Sequence, residues 1–338
     1  MPGGNVTLRL GELFAGYGGL GMAVEEVFGA ELAWVSEWEA APSKILAHHW
    51  PHVPNHGDVT KIDWYGVESV DIMSGGSPCQ DLSMAGKRRG MTEGTRSNLW
   101  ESMREGIATI RPRYVVWENV RGSLSAEATS ASDMEQREGF LGERRGHLRA
   151  LGRVLGDLAD LGFDAEWRGI RASDAGAPHG RFRIFILAAN RDHLGINRPR
   201  QRPKEDRRGQ PANRHLTLAH TDHTGPQGQH HTPRTTPAQR HRHTSEGVDW
   251  GKYAGAIRRW EALRGAAPSP VELSPTGKPR LSAPFAEWMM GLPAGWVTEV
   301  PGVTWGDQLK ACGNGVVPQQ ATAALRDMLA AFEMEKAA

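Results

Sequence analysis

The chain has 338 residues, a net charge of +1, 39% hydrophobic residues and two cysteines, Cys79 and Cys312. Two cysteines so far apart rule out a disulfide framework and suit a reducing compartment. No apolar run reaches the roughly 18 residues of a membrane span, and no basic-then-apolar secretory signal opens the chain, so a cytoplasmic protein is expected. The near-neutral balance excludes binding to a polyanion through bulk charge, so any such face must come from local segregation of charge.

Residues 6–10 are expected as a first strand, with Gly11 to Gly19 turning away from it. Apolar residues then recur at Leu20, Ala23, Val24, Val27 and Phe28, the period of an amphipathic helix, and Gly29 closes it. Strand, glycine-rich turn and helix in succession leave backbone N–H groups free to approach a nucleotide-like ligand. The spacing Gly16-x-Gly18-Gly19 is not the one NAD binding requires. A second strand, 32–35, runs into Ser36-Glu37-Trp38-Glu39, where an acid can hold ribose hydroxyls and Trp38 can stack on a purine. Asp58 is expected to end a short third strand and to accept a hydrogen bond from an adenine amino group.

The run Val70-Asp71-Ile72-Met73 has the length of a buried parallel strand and leads into Gly75-Gly76-Ser77-Pro78-Cys79-Gln80. Cys79 is thereby placed at a strand's C-terminal end, where open α/β sheets bind ligands. A lone cysteine is commonly a packing residue. The basic, glycine-flanked stretch Ser83-Met84-Ala85-Gly86-Lys87-Arg88-Arg89-Gly90 that follows instead suits a nucleophile under a lid that meets an anion.

Residues 98–110 are expected as a helix with Leu99, Met103, Ile107 and Ile110 inward. Arg113-Tyr114-Val115-Val116-Trp117 reads as a buried strand running into Glu118-Asn119-Val120, a carboxylate on the same edge as Cys79. Residues 122–146 read as an exposed insertion, followed by a helix with Leu148, Leu151, Val154, Leu155, Leu158 and Leu161 on one face. Residues 163–168 are expected as an antiparallel strand partner, and Gly176-Ala177-Pro178-His179-Gly180 feeds an apolar strand whose Arg181 and Arg183 face one side. From 190 to 250 the chain carries eight of its fourteen histidines and ten arginines but almost no aliphatics, so it cannot bury a core and reads as a linker or insertion. No metal site is expected there, because carboxylate and Cys partners are missing at ligand spacing. Short helices are expected at 253–263 and 285–293, and a C-terminal helix after Pro318 with Leu325, Met328, Leu329 and Phe332 on one side.

Five motifs, in order, resemble those of the DNA cytosine-5 methyltransferase family. Glu12-Leu13-Phe14-Ala15-Gly16-Tyr17-Gly18-Gly19 is similar to its D-L-F-x-G-x-G-G cofactor motif, Ser77-Pro78-Cys79-Gln80 to its P-C-Q turn, and Glu118-Asn119-Val120 to its E-N-V. Arg181-Phe182-Arg183 resembles the R-x-R half of Q-x-R-x-R, and Gly313-Asn314-Gly315-Val316-Val317 its G-N-x-V. The likeness covers 6–188 and about 275–330. It implies an α/β fold, with the Rossmann-like, mostly parallel sheet of the class I S-adenosylmethionine methyltransferases and a small irregular target-recognition region inserted before the C-terminal helix. The implied division is 1–189 catalytic and cofactor-binding, 190–250 linker or insertion, 251–290 target recognition and 291–338 completing the catalytic domain.

By the same resemblance the substrate is cytosine in double-stranded DNA and the cofactor S-adenosylmethionine. The protein would be a bacterial or phage monomer at the nucleoid, with a cognate restriction endonuclease as partner. Cys79 would add to carbon 6 of a flipped-out base, Glu118 would hold ring nitrogen 3 and the amine, Arg181 would touch the base carbonyl or sugar-phosphate, and Arg183 would brace the site. Phe14, Gly16, Tyr17, Gly18, Gly19, Glu37, Trp38, Asp58, Val59, Pro78, Leu99, Asn314 and Val316 would line the cofactor. Gln80, Ser83, Lys87, Arg88, Arg89 and His179 would meet DNA. Glu12 stands where the family usually has Asp, and His179 where it usually has Gln. The variable region is largely the His/Arg-rich stretch. A tRNA methyltransferase of the same fold, or an inactive DNA-binding relative, remains the alternative; an NAD-dependent oxidoreductase fails on the glycine spacing.

Overall fold

The computed structural model describes residues 7–77, 99–124, 127–128, 148–194 and 247–337. The first part runs β1 (Arg9–Leu13), α1 (Gly19–Phe28), β2 (Glu31–Ser36), α2 (Ala40–His49), β3 (Ile72–Gly75), α3 (Trp100–Ile110) and β4 (Tyr114–Val120). A two-residue ladder of β5 (Glu127–Ala128) with β6 (Leu148–Arg149) precedes α4 (Ala150–Asp160), β7 (Phe163–Arg171) and β8 (Phe182–Asn190). Then come α5 (Ala254–Arg264), the hairpin β9 (Val271–Leu273) and β10 (Pro279–Leu281), α6 (Ala283–Met289), α7 (Trp305–Asn314) and α8 (Pro318–Ala337).

Six strands form one sheet in the order β2-β1-β3-β4-β8-β7. The β1–β2, β1–β3 and β3–β4 pairs are parallel, and β8 then runs antiparallel to both β4 and β7. This is the mostly parallel α/β sheet expected from the sequence. Side chains alternate across it, and both faces are covered. Leu13, Met73, Val115, Trp117, Ile184 and Ile186 pack on one side under α3 and α4. Leu10, Ile72, Val116, Phe185 and Leu187 pack on the other under α1 and α8. The C-terminal helix thus returns to the first strand's layer.

A third apolar cluster joins α5, α6, α7 and the segment between α6 and α7 to the sheet domain. Ile257, Trp260, Trp288, Val297, Val300 and Cys312 pack there with Tyr17, Ile45, Ala172 and Ala177. The connection after α6 is organised by the buried Glu287, whose carboxylate accepts the backbone N–H groups of Gly295 (2.7 Å), Val297 (2.7 Å) and Thr298 (2.9 Å). No helix among the described residues is long and apolar enough to cross a membrane.

Several expectations are corrected. β1 begins at Arg9 and continues through Gly11, where a Cβ would lie 2.2 Å from the Trp34 ring, so the glycine is a strand residue making room for a core tryptophan. No strand ends at Asp58. Beside β2 there is an isolated bridge from Val35 to Asn55, and Asp58 caps the 3₁₀ turn Val59–Lys61 by accepting the Thr60 N–H. Leu148 lies in β6, not on the following helix. Helix α7 lies between 293 and Pro318, where the sequence reading has no element. Of the stretch 190–250, residues 195–246 lie outside the described residues, as do 125–126 and 129–146 of the expected insertion.

Candidate active site

The chain leaves β1 through Phe14, a non-glycine residue at φ 55, whose N–H donates to the Ser36 carbonyl at 2.8 Å. Such a backbone is strained for a side chain bearing a Cβ and persists only where neighbours enforce it. Gly16 (φ 58) and Gly18 (φ 85) follow in the region that favours glycine, and Gly18 caps α1 without any side-chain partner. Glu37, at the end of β2, is the brace. Its Oε2 accepts the Gly16 N–H at 2.9 Å and its Oε1 the Glu39 N–H at 2.8 Å, while its own N–H donates to Asn55 Oδ1. Burial raises the pKa of this carboxyl against the pull of those donors. The Trp38 N–H is a third backbone donor to this carboxylate, so of its roughly four acceptor sites one remains.

Beneath the loop, Glu12 is buried on β1 and its Oε1 accepts the Gly21 N–H at 2.9 Å. A Cβ on residue 21 would come within 2.3 Å of the other Glu12 oxygen, so the longer acid is accommodated by a glycine in the first turn of α1. Desolvation pushes the Glu12 carboxyl up to about 8.

Tyr17 is fully buried, and its side chain points inward. Its hydroxyl donates to the Val316 carbonyl at 2.7 Å, and Trp296 Nε1 donates to the Tyr17 carbonyl at 2.9 Å. A Cβ at Gly315 would lie 1.9 Å from the Tyr17 ring, so the glycine loop and the α7–α8 joint interlock around this tyrosine. Gly19 abuts the Val316 carbonyl, Val316 itself is half-buried and Asn314 is exposed at the end of α7. Trp38 stands 65% exposed beside Glu37. Asp58 is occupied by the Thr60 N–H and hydroxyl and by Lys61 at 3.2 Å, and the hydrogen bonds from Thr60 lead in lowering its pKa. Val59 is buried, and Leu99 is half-buried at the start of α3. Neither Trp38 nor Asp58 hydrogen-bonds to the glycine loop among the described residues.

The second half of the site is where β3 and β4 end and β8 begins. Ser77 is buried just past β3, and three interactions tie it to β4. Trp117 Nε1 donates to its Oγ at 3.2 Å, and Asn119 Nδ2 approaches its carbonyl and Oγ at 3.3 Å. Between Trp117 and Asn119 stands Glu118, buried, with Oε1 2.7 Å from Arg183 Nε. The antiparallel register sets Val120 opposite Arg183, which brings the guanidinium back to the carboxylate. Burial raises the Glu118 pKa even though Arg183 and Arg181 both pull it down. The remaining oxygen, Oε2, lies where a Cβ on Gly76 would be 2.8 Å away, so only glycine leaves the carboxylate this position.

Arg181 and Arg183 separate in their work. Both Arg181 terminal nitrogens donate to the α7–α8 joint, Nη1 to Gly313 O (2.7 Å) and Nη2 to Gly315 O (2.6 Å). His179 lies 3.0 Å through Nε2 from the Met289 carbonyl at the end of α6. Pro78, Cys79, Gln80, Ser83, Lys87, Arg88 and Arg89 lie outside the described residues. The other cysteine, Cys312, is buried, and desolvation pushes its thiol up to about 12, which leaves it unreactive at neutral pH. Sequence reasoning did not single out Ser77 and Asn119 for the anchoring they supply. The available signal was their place beside the cysteine turn and the carboxylate.

The geometry is accompanied by clear relationships. A family profile described as C-5 cytosine-specific DNA methylase matches residues 8–330. The type II methyltransferase M.NgoBV of Neisseria gonorrhoeae is 29% identical over 183 residues, 53% of this chain and 40% of that protein. M.HhaI of Haemophilus parahaemolyticus is 26% identical over 185 residues, 55% of this chain and 50% of that one. The chain therefore spans about half the length, or less, of these curated relatives. The crystal structure of the Dnmt2 methyltransferase of S. pombe superimposes with a TM-score of 0.55 at 14% identity, covering 96% of this chain and 99% of that one, a likeness of fold. With the profile running from the first strand into the last helix, the chain belongs to the C-5 cytosine-specific DNA methylase family.

Proposed function

We propose that the chain methylates carbon 5 of a cytosine flipped out of duplex DNA, through a transient bond from Cys79 to carbon 6. The observation that carries this reading is Glu118: a buried carboxyl of raised pKa, held by Arg183 on one oxygen and reaching toward the cysteine turn with the other. Carbon 5 of cytosine is too electron-poor to attack a methyl group unaided. Addition of a thiolate at carbon 6 forms a C–S bond and pushes the ring's electrons toward nitrogen 3, which takes the Glu118 proton. Burial favours the protonated carboxyl needed for this, and Arg183 keeps it oriented. After carbon 5 is methylated, loss of its proton, elimination of the Cys79 thiolate and return of the nitrogen 3 proton to Glu118 restore the aromatic ring. Flipping costs a few kcal/mol, and Lys87, Arg88 and Arg89 are the residues assigned to phosphates.

S-adenosylmethionine fits the other half of the site and would supply the electrophilic methyl. Glu37 has an acceptor site left for a ribose hydroxyl, exposed Trp38 and half-buried Phe14 offer flat surfaces for adenine, and the first two N–H groups of α1, ahead of the Gly21 N–H taken by Glu12, are left for a carboxylate. Asp58 would add an acceptor for the adenine amine. Arg181 acts here as a brace between β8 and the α7–α8 joint, and Arg183 as the group that fixes Glu118. Target recognition belongs to 251–290, which exposes Tyr253, Leu263, Leu273 and Leu281. Incubation with tritiated S-adenosylmethionine and either duplex DNA or tRNA tests the reading. Label in DNA, with bisulfite sequencing showing carbon 5 methylation, is expected; label confined to tRNA, or none, contradicts it.

A further inference from the structure

At the end of α6 three carbonyls each receive a side-chain donor from a different element. Trp260 Nε1 of α5 donates to Trp288 O (2.9 Å), Gln319 Nε2 of α8 to Gly291 O (2.8 Å), and His179, on the segment leading into β8, lies 3.0 Å from Met289 O. A carbonyl oxygen can only accept, so His179 Nε2 carries a proton. In the neutral ring Nδ1 is then an acceptor and nothing else. Burial keeps the ring neutral, and the nearby cations, Arg181 just ahead of β8 and Arg183 on it, act in the same direction; from α6 the group that meets it is the Met289 carbonyl. No described residue donates to Nδ1. Two residues further on comes Arg181, and then, on β8, Arg183, which holds Glu118. The family's usual Gln would offer both a donor and an acceptor here, but a histidine with its tautomer fixed offers an acceptor alone.

We propose that His179 is a specificity-determining residue whose Nδ1 accepts a hydrogen bond from the exocyclic amino group of a DNA base beside the target cytosine. This rests on the reading of the chain as a DNA cytosine methyltransferase. In duplex grooves adenine, cytosine and guanine present amino donors, whereas thymine presents acceptors and a methyl group. A neighbouring thymine would therefore leave Nδ1 unpaired. Protonation would turn the acceptor into a donor, so recognition weakens toward acid.

The test uses the full chain and duplexes carrying the sequence it methylates, as mapped by bisulfite sequencing. In matched duplexes one neighbouring amino group is deleted at a time, with inosine for guanine, purine for adenine or 2-pyrimidinone for cytosine. For wild type, one such deletion should lower kcat/KM about tenfold, the range of a single base contact. His179→Phe should be indifferent to that same deletion. His179→Gln should keep the preference but lose the acid limb that wild type shows below its ordinary pKa of 6.5. If wild type ignores every neighbouring amino deletion, or if His179→Gln keeps the wild-type acid limb, the proposal is overturned. A lower melting temperature for His179→Phe with unchanged base dependence would make the residue purely structural and also overturns it. The tautomer is read separately from long-range ¹⁵N–¹H spectra of histidine-labelled protein, with the signal assigned by its loss in His179→Gln. A proton on Nδ1 would refute the inference. Absence of methylation on any duplex would instead bring down the functional reading on which it rests, and the spectra tell the two failures apart.

Discussion

Replacing Gly76 by alanine probes the candidate active site where the end of β3 meets Glu118. The new methyl would sit 2.8 Å from Glu118 Oε2, well inside the roughly 3.5 Å of an ordinary contact. The carboxylate cannot simply retreat, because Oε1 is held by Arg183 Nε at 2.7 Å. Nor can the turn, because Ser77 is bonded to Trp117 and Asn119. Overpacking of this kind costs about 1–3 kcal/mol. If the carboxylate yields, that cost falls on the chemical step, and kcat should drop about ten- to a hundredfold at one decade per 1.4 kcal/mol. Single-turnover transfer of tritiated methyl to duplex DNA, at saturating donor, measures it, and a thermal melt measures the residual strain. A variant with wild-type kcat and an unchanged melting temperature would refute the placement of Glu118 against this turn.

Glu12→Gln should flatten the dependence of stability on pH. The folded-state pKa of Glu12 is raised to about 8 from 4.5, so the folded chain keeps a proton the unfolded chain has lost. That contribution is complete below 4.5 and is lost as pH rises toward 8, at about 1.4 kcal/mol per pH unit. The wild-type melting temperature should therefore fall by on the order of 2 °C per pH unit across that window, and parallel profiles for the two proteins would refute the assignment. Tyr17→Phe removes the bond to the Val316 carbonyl and should cost about 1–2 kcal/mol. It should also weaken S-adenosylmethionine binding in calorimetry; an unaltered Kd would show that the joint does not shape that site. Glu287→Gln sets amide hydrogens against backbone N–H groups where the carboxylate now accepts three of them. A loss of about 2–4 kcal/mol in denaturant unfolding is expected, and an unchanged midpoint would contradict it.

Much of the fold was legible because strong local signals agreed. Leu20, Val24 and Gly29 marked α1 and its end, and Gly29 does close it at φ 63. The apolar residues 114–117 marked β4 and carried Glu118 to the edge of the sheet. What escaped depended on distant partners. Gly11 reads as a turn residue until Trp34 is laid against it. Asp58 follows Gly57 and precedes Val59 as a strand end would, yet Thr60 supplies both hydrogen bonds that turn it into a cap. Helix α7 was hidden by Gly306 and Gly313, whose positions blur its period, and it is fixed by the Thr304 cap and by burial of Ala311 and Cys312. Tyr17 sits within the cofactor motif, but its contacts with Val316 and Gly315 join positions roughly three hundred residues apart, which no local pattern can reveal. The clash that Gly76 avoids is of the same kind.

The account rests most heavily on the Cys79 sulfur as nucleophile. A duplex carrying 5-fluorocytosine at the methylated position cannot lose its carbon 5 substituent, so the covalent complex should accumulate. Mass spectrometry after incubation with S-adenosylmethionine should find the DNA, with its added methyl group, bonded to the peptide containing Cys79 and absent from Cys79→Ser. Failure to trap the protein, or an adduct carried by the buried Cys312, would contradict the account.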